Sequence, residues 1–238
     1  MERWARYIIS GAALLAMLAA YAQTKDAGGF QREFSVAQCT LKTTGRNDYF
    51  ILEPGFQQVL EGGGTRLQIT VLDETKTVAG VETRVVEERE WKKGKLYEVA
   101  RNYFAICEGT NDVYYFGEDV DFYENGKIVK HDGSWRAGEN GNKHGLAMPG
   151  TPKPGMKYYQ ELAPGVAMDR AEILSVTETC GTPAGTFKSC MKVKEGSELD
   201  LGMTEYKYYA PGIGLIRDED LRLVKHGSGK PAPKQASR

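Results

Sequence analysis

Thr65-Arg66-Leu67-Gln68-Ile69-Thr70-Val71-Leu72 decides the class of the fold. Leu67, Ile69 and Val71 alternate with Arg66, Gln68 and Thr70, and this period of two sends one set to a buried face and the other to water, as in a half-buried strand. The same rhythm runs outward from about Tyr49. Turn residues interrupt it at short intervals: Ala79-Gly80, Lys93-Gly94, Asn111-Asp112, Asn125-Gly126, Asp132-Gly133, Pro183-Ala184-Gly185 and Pro211-Gly212. Strands joined by such short links pair antiparallel, because parallel pairing needs a crossover of roughly a dozen residues, usually a helix. The only helix-like stretch is Val166 to Leu174. The expectation is a mainly β fold with little helix, a single antiparallel sheet of about ten strands. A sheet of that size is expected to curve strongly into a half-barrel or barrel-like form.

The segment from Arg136 to Gly155 breaks the rhythm. It carries five glycines and three prolines, Pro149, Pro152 and Pro154. It reads as a long loop, and loops beyond about 12 to 15 residues in a compact domain tend to cover or bind something.

The ends set the compartment. Arg3 and Arg6 precede an apolar run from Tyr7 to Ala20, then Ala20-Tyr21-Ala22 stands before Gln23. This is the pattern of a secretory signal, and the run is shorter than the roughly 20 residues that cross a bilayer as a helix. Residues 1–22 are read as a signal peptide, 23–45 as an N-terminal segment, 46–226 as a single β-domain and 227–238 as a flexible tail rich in Gly, Ser, Pro and basic residues. The product is expected to be exported, periplasmic or extracellular, with no integral membrane span after cleavage. The chain has 31 basic and 32 acidic residues and no basic block in its body, which argues against a nucleic-acid partner.

Cys39, Cys107, Cys180 and Cys190 make an even number in an exported chain, which favours disulfides. Three pairings are open. Cys180 and Cys190 flank a turn and invite a local bridge, which leaves Cys39 and Cys107 for a long-range one. A two-residue turn at Ala184-Gly185 would set Cys180 opposite Ser189. One more residue in the turn would set Cys180 opposite Cys190 and Glu178 opposite Lys192, and this bridged register is preferred.

Chemistry-bearing motifs are few. Glu118, Asp119, Asp121 and Glu124 crowd ahead of the Asn125-Gly126 turn, and Asp119, Asp121 and Glu124 are the candidate ligands of a cation such as Ca²⁺. The spacing departs from the EF-hand loop, since Tyr123 occupies a ligand position, and a solvated strand face with Val120 and Phe122 behind it is the preferred reading. No metal is therefore assigned. The same carboxylates are the candidates for acid and base in a glycoside hydrolase. His131, His144 and His226 lack metal-ligand spacing, and a solvent-exposed turn is the expected place of His144. No nucleophile elbow occurs, and Gly62-Gly63-Gly64 opens no phosphate-binding helix, so neither a catalytic residue nor a cofactor is assigned. Aromatic residues supply the ligand-binding candidates Tyr115, Trp135, Tyr158 and Tyr208, whose rings suit sugars, peptides or lipid chains.

Glu178-Thr179-Cys180-Gly181-Thr182-Pro183-Ala184-Gly185-Thr186-Phe187-Lys188-Ser189-Cys190-Met191-Lys192-Val193, with Tyr206-Lys207-Tyr208-Tyr209-Ala210-Pro211-Gly212-Ile213-Gly214-Leu215-Ile216-Arg217, resembles the paired-hairpin ending of the lipoprotein-carrier (LolA/LolB-like) half-barrel superfamily. The resemblance implies a sheet that holds an acyl chain or other apolar ligand. It carries no functional residue. The expected function is an exported β-domain that binds a lipid or other hydrophobic or amphipathic ligand. The alternatives are an envelope or extracellular interaction module without small-molecule ligand and a carboxylate-dependent hydrolase.

Overall fold

The structure, a computed structural model, describes residues 25–229. The signal-peptide reading of 1–22 and most of the expected tail lie outside the described residues. Among the described residues seventeen strands occur in chain order. They are β1 (Leu41–Lys42), β2 (Gly45–Asn47), β3 (Phe50–Leu52), β4 (Phe56–Gly62), β5 (Thr65–Val78), β6 (Val81–Lys92), β7 (Lys95–Cys107), β8 (Val113–Glu124) and β9 (Lys127–Lys130). Then follow β10 (Trp135–Arg136), β11 (Gly145–Met148), β12 (Lys157–Tyr159), β13 (Asp169–Thr182), β14 (Gly185–Ser197), β15 (Glu205–Ala210), β16 (Gly214–Asp218) and β17 (Leu221–Ser228).

Fifteen of them form one antiparallel sheet with the path β10-β8-β7-β6-β5-β4-β17-β16-β15-β14-β13-β12, to which β1 adds on β7 and β9 and β11 add on β8; β2 and β3 make a separate hairpin. The mainly β, antiparallel character is as the alternation implies. The strand number and the curvature are not. The sheet has fifteen strands, not about ten, and it is neither closed nor strongly curled. Its terminal strands, β10 and β12, have two and three residues and form no ladder with each other. Segments of two to four residues cannot display a recognisable period, which is why the sequence undercounts them.

The hairpin turns follow the glycine signals. In the turn between β5 and β6 both Ala79 (φ 50°) and Gly80 (φ 78°) are left-handed, the geometry whose twist matches that of the flanking strands. Val166 to Leu174 is not helical, and among the described residues no helix occurs. Ala163 bridges Ala167 around Pro164-Gly165, and β13 starts at Asp169 with Ala171 and Ile173 wholly buried, a strand alternation. The glycine-rich segment from Arg136 to Gly155 is only partly a loop, because β11 within it pairs with Val113, Tyr114 and Tyr115 of β8. At the other end, β17 carries the domain to Ser228, past the expected boundary at 226.

The larger core cluster joins both wings of the sheet: Val86, Phe104 and Phe116 on one side meet Tyr158, Ile173 and Met191 on the other. A second cluster holds Leu60, Ile216 and Leu223, each fully buried. Burying such a side chain contributes about 1.5 to 3 kcal/mol before entropy is counted. Cys39 and Cys107 form a disulfide that ties the chain ahead of β1 to the end of β7. Cys180 and Cys190 do not bridge; both are buried free thiols. The β13–β14 turn is Pro183-Ala184, with Thr182 opposite Gly185, and Cys180 faces Phe187 while Glu178 faces Cys190. The place of the turn sets Cys180 opposite Phe187 and so parts it from Cys190; two residues of β14 then span what one spans in β13, with Ser189 at φ 54°, and this bulge leaves Cys190 opposite Glu178.

Candidate functional site

The alternating stretch of β5 leads to the site. Leu67, Ile69 and Val71, its inward set, line a cavity of about 330 Å³. On the neighbouring β6 the same face carries Val86 and then Glu88, so the lining changes from apolar to acidic within two residues. Tyr49, Phe50, Phe56 and Phe104 add aromatic wall, and Ala147 and Met148 of β11 complete it from the segment that the sequence presents as a loop.

The charged part of the lining comes from six strands and one connection. Glu88 of β6, Glu118 of β8, Glu161 after β12, Asp169 of β13, Glu195 of β14 and Asp218 of β16 all face the cavity, with Lys207 of β15 as the one cation among them. Lys207 stands opposite Asp218 in the ladder and its Nζ lies 2.8 Å from Glu195 and 3.9 Å from Asp218. Burial alone would depress its pKa, but those two carboxylates outweigh burial and hold the ammonium charged. Glu195 also accepts from Gln160 at 3.2 Å and from the Tyr209 hydroxyl at 3.2 Å.

The remaining carboxylates have no such compensation. Trp135 Nε1 donates to Glu161 at 3.4 Å, and Glu161 is 8% exposed; burial first and Asp169 second push its pKa up to about 8. Glu118 is pushed well above the usual carboxylate range by burial, then by Glu161 and Glu88. Asp169 is raised, chiefly by burial. Glu88 is enclosed by protein, its accessible surface is turned to the cavity, and burial raises it to about 7. Among the described residues no hydrogen bond or ion pair reaches it. Its neighbour Glu87, on the opposite face of β6, shows the usual solution: Arg89 at 2.6 Å and Arg101 at 3.3 Å neutralise it. The site thus combines an apolar wall with several buried carboxylates whose charge the protein leaves unbalanced.

The sequence-derived candidates fall in several places. Tyr115 lines the cavity, donates its hydroxyl to Asn102 and lies against Glu118 and Glu161. Trp135 is buried and reaches the site through its bond to Glu161. Tyr158 is a core ring, 2% exposed. Tyr208 is away from the cavity, half-buried between Lys192 and Arg217; its neighbour Tyr209 is the inward one. The cation candidates do not converge. Asp119 accepts from Tyr103 and pairs with Arg136, Asp121 pairs with His131 at 2.7 Å, and Glu124 stands exposed at the strand end. His144 is not a free turn residue: it stacks on Phe116 and its Nε2 lies 2.8 Å from the Phe34 carbonyl oxygen, and burial lowers its pKa.

Glu88, Glu161, Asp169, Glu195, Lys207 and Asp218 were invisible as a group, since they are scattered over 131 positions from 88 to 218. The one available signal was an acidic residue at an inward position of an alternating strand, as Glu88 is two after Val86.

Residues 166–224 match a family model described as DUF3108-like. The matched segment spans β13 to β16 and the first half of β17, and so contributes Asp169, Glu195, Lys207 and Asp218 to the cavity. It also includes the paired hairpins from Glu178 to Arg217. No curated protein and no solved structure matches the chain.

Proposed function

We propose that this protein is an exported binding protein whose cavity takes a small amphipathic ligand. The observation that carries the reading is the mixed lining: Leu67, Ile69, Val71 and Phe104 provide apolar contact, while Glu88, Glu118 and Glu161 provide polar groups without internal partners of opposite charge. Its volume of about 330 Å³ falls at the small end of ligand pockets, which run to roughly 1,000 Å³ and join hydrophobic walls to a few convergent polar groups. The Cys39–Cys107 disulfide supports an oxidising compartment, and among the described residues no helix is long and apolar enough to cross a membrane. The ligand class implied by the lipoprotein-carrier resemblance agrees with the apolar part of this lining, although the sheet is more open than a half-barrel.

The test is titration with N-phenyl-1-naphthylamine, a neutral apolar fluorophore. Saturable binding is expected, lost in Ala147→Phe and in Val86→Phe, with circular dichroism confirming that each variant folds. Absence of saturable binding, or binding unchanged by both fillings, overturns the reading.

A second reading, a carboxylate-dependent hydrolase, is favoured by one observation: Glu161, held to about pH 8, is a protonated acid at neutral pH beside the carboxylates of the same cavity. Hydrolysis of nitrophenyl glycosides abolished by Glu161→Gln would support it, and no turnover above the buffer rate would remove it.

A further inference from the structure

We infer that the cavity selects ligands with a cationic head, an organic ammonium joined to a short apolar chain, and that Glu88 and Glu161 receive that head. This inference rests on the cavity being a ligand site and adds the charge of the ligand.

Charge and geometry carry it. Among the described residues six carboxylates face the cavity against one ammonium. Lys207 is committed to Glu195 and Asp218. That leaves Glu88, Glu118, Glu161 and Asp169 with no cation in contact among the described residues. A water-excluded carboxylate without a counter-charge is costly, and it relieves that cost by holding a proton or by meeting a cation. The protein supplies Arg89 and Arg101 to Glu87 one residue away, so the lack of a partner at Glu88 is local to the cavity face. Glu88 has neither a hydrogen bond nor an ion pair among the described residues, and it points into the same space as Ile69 and Val86.

An entering ammonium would be held by Coulomb attraction in a low-dielectric site, while its chain lies against Leu67, Ile69 and Phe104. An anion of the same size would meet like charge. Binding displaces protons, because the cation favours the ionised carboxylates. The groups that face Glu88 are Lys207, Asp218, Glu98 and Glu195; those that face Glu161 are Asp169, Lys207, Trp135 and Tyr115; those that face Glu118 are Glu161, Glu88, Tyr115 and Glu98. Only Lys207 among them opposes a cation, and it is already neutralised.

Calorimetry with octylammonium, octanol and octanoate, three heads on one chain, tests the inference at pH 6 and pH 8. The expected result is that octylammonium binds at least tenfold more tightly than octanol at pH 8, octanoate more weakly still. The octylammonium heat should depend on buffer ionisation in the sense of proton release, and Glu88→Gln with Glu161→Gln should abolish the preference for the ammonium head. Equal affinity for octanol and octylammonium, or a preference untouched by the double substitution, overturns it. Naphthylamine binding without ammonium preference refutes the head-group inference alone. Failure of all four probes refutes the cavity reading itself.

Discussion

Replacing Glu88 by glutamine should make the protein more stable at alkaline pH and leave it unchanged in acid. Burial raises the Glu88 pKa from 4.5 to about 7, so the folded state holds the proton more tightly than the unfolded chain does. The contribution of this group to stability is therefore complete below pH 4.5 and is lost as pH rises through about 7. A tenfold change in proton affinity corresponds to about 1.4 kcal/mol, so the ionised form is penalised by about 3 kcal/mol above pH 8. Glutamine keeps the shape and cannot ionise. Urea unfolding of the wild type and Glu88→Gln at pH 4.5 and pH 8.5 measures the difference. The variant is expected to match the wild type at the lower pH and to exceed it by about 3 kcal/mol at the higher. A variant that is no more stable than the wild type at pH 8.5 would mean that Glu88 has a cation or solvent partner, and the charge account of the cavity would fail.

Other consequences follow from particular contacts. Reducing the Cys39–Cys107 bond frees a loop of 68 residues, for which chain entropy gives a loss of roughly 4 kcal/mol, read as a lower Tm with dithiothreitol or in Cys39→Ser/Cys107→Ser. Gly62→Ala would drive its Cβ into the Asp220 carbonyl oxygen, so a loss of about 2 kcal/mol or more in thermal unfolding is expected, whereas Gly64→Ser, with open space around it, pays only its backbone conformation. Tyr115→Phe leaves the buried Asn102 oxygen without its donor, at a cost of about 1 to 3 kcal/mol measurable by the same unfolding assay.

Much of the fold was legible, and the reason is length. β5 to β8 and β13 to β14 have 12 to 14 residues each, enough to show alternation, and their turns carry glycines where left-handed backbone is required. The short strands β1, β2, β3, β10 and β12 carry no period of their own; their pairing partners define them, β2 and β3 each other and the rest longer strands of the sheet. The helix-like stretch Val166 to Leu174 goes instead to the pairing of Ala171 and Ile173 with β14, a tertiary contact that local sequence cannot show. The hairpin register of Cys180 and Cys190 was set by the turn falling at Pro183-Ala184, one residue earlier than Ala184-Gly185, with a bulge at Ser189 shifting Cys190 by one place; the Pro-Ala-Gly signal allows either turn.

The site was less legible. Tyr115 was singled out because aromatic clustering near the acidic run is local, and it lines the cavity; Trp135 was singled out with the aromatics around the long loop, and it reaches the cavity through Glu161. The carboxylates were not, because their common property is the face they occupy and not their spacing. Asp119 looked the same in sequence as Glu118, one position earlier. The pleat sends Glu118 into the cavity and Asp119 to Arg136.

The most direct test of the account is a crystal structure of the protein with N-phenyl-1-naphthylamine. The account predicts the probe inside the cavity, against Phe104 and Ile69 and within reach of Glu88. A probe bound instead on the outer face beside Tyr206 and Tyr208, with the cavity unchanged, would contradict it.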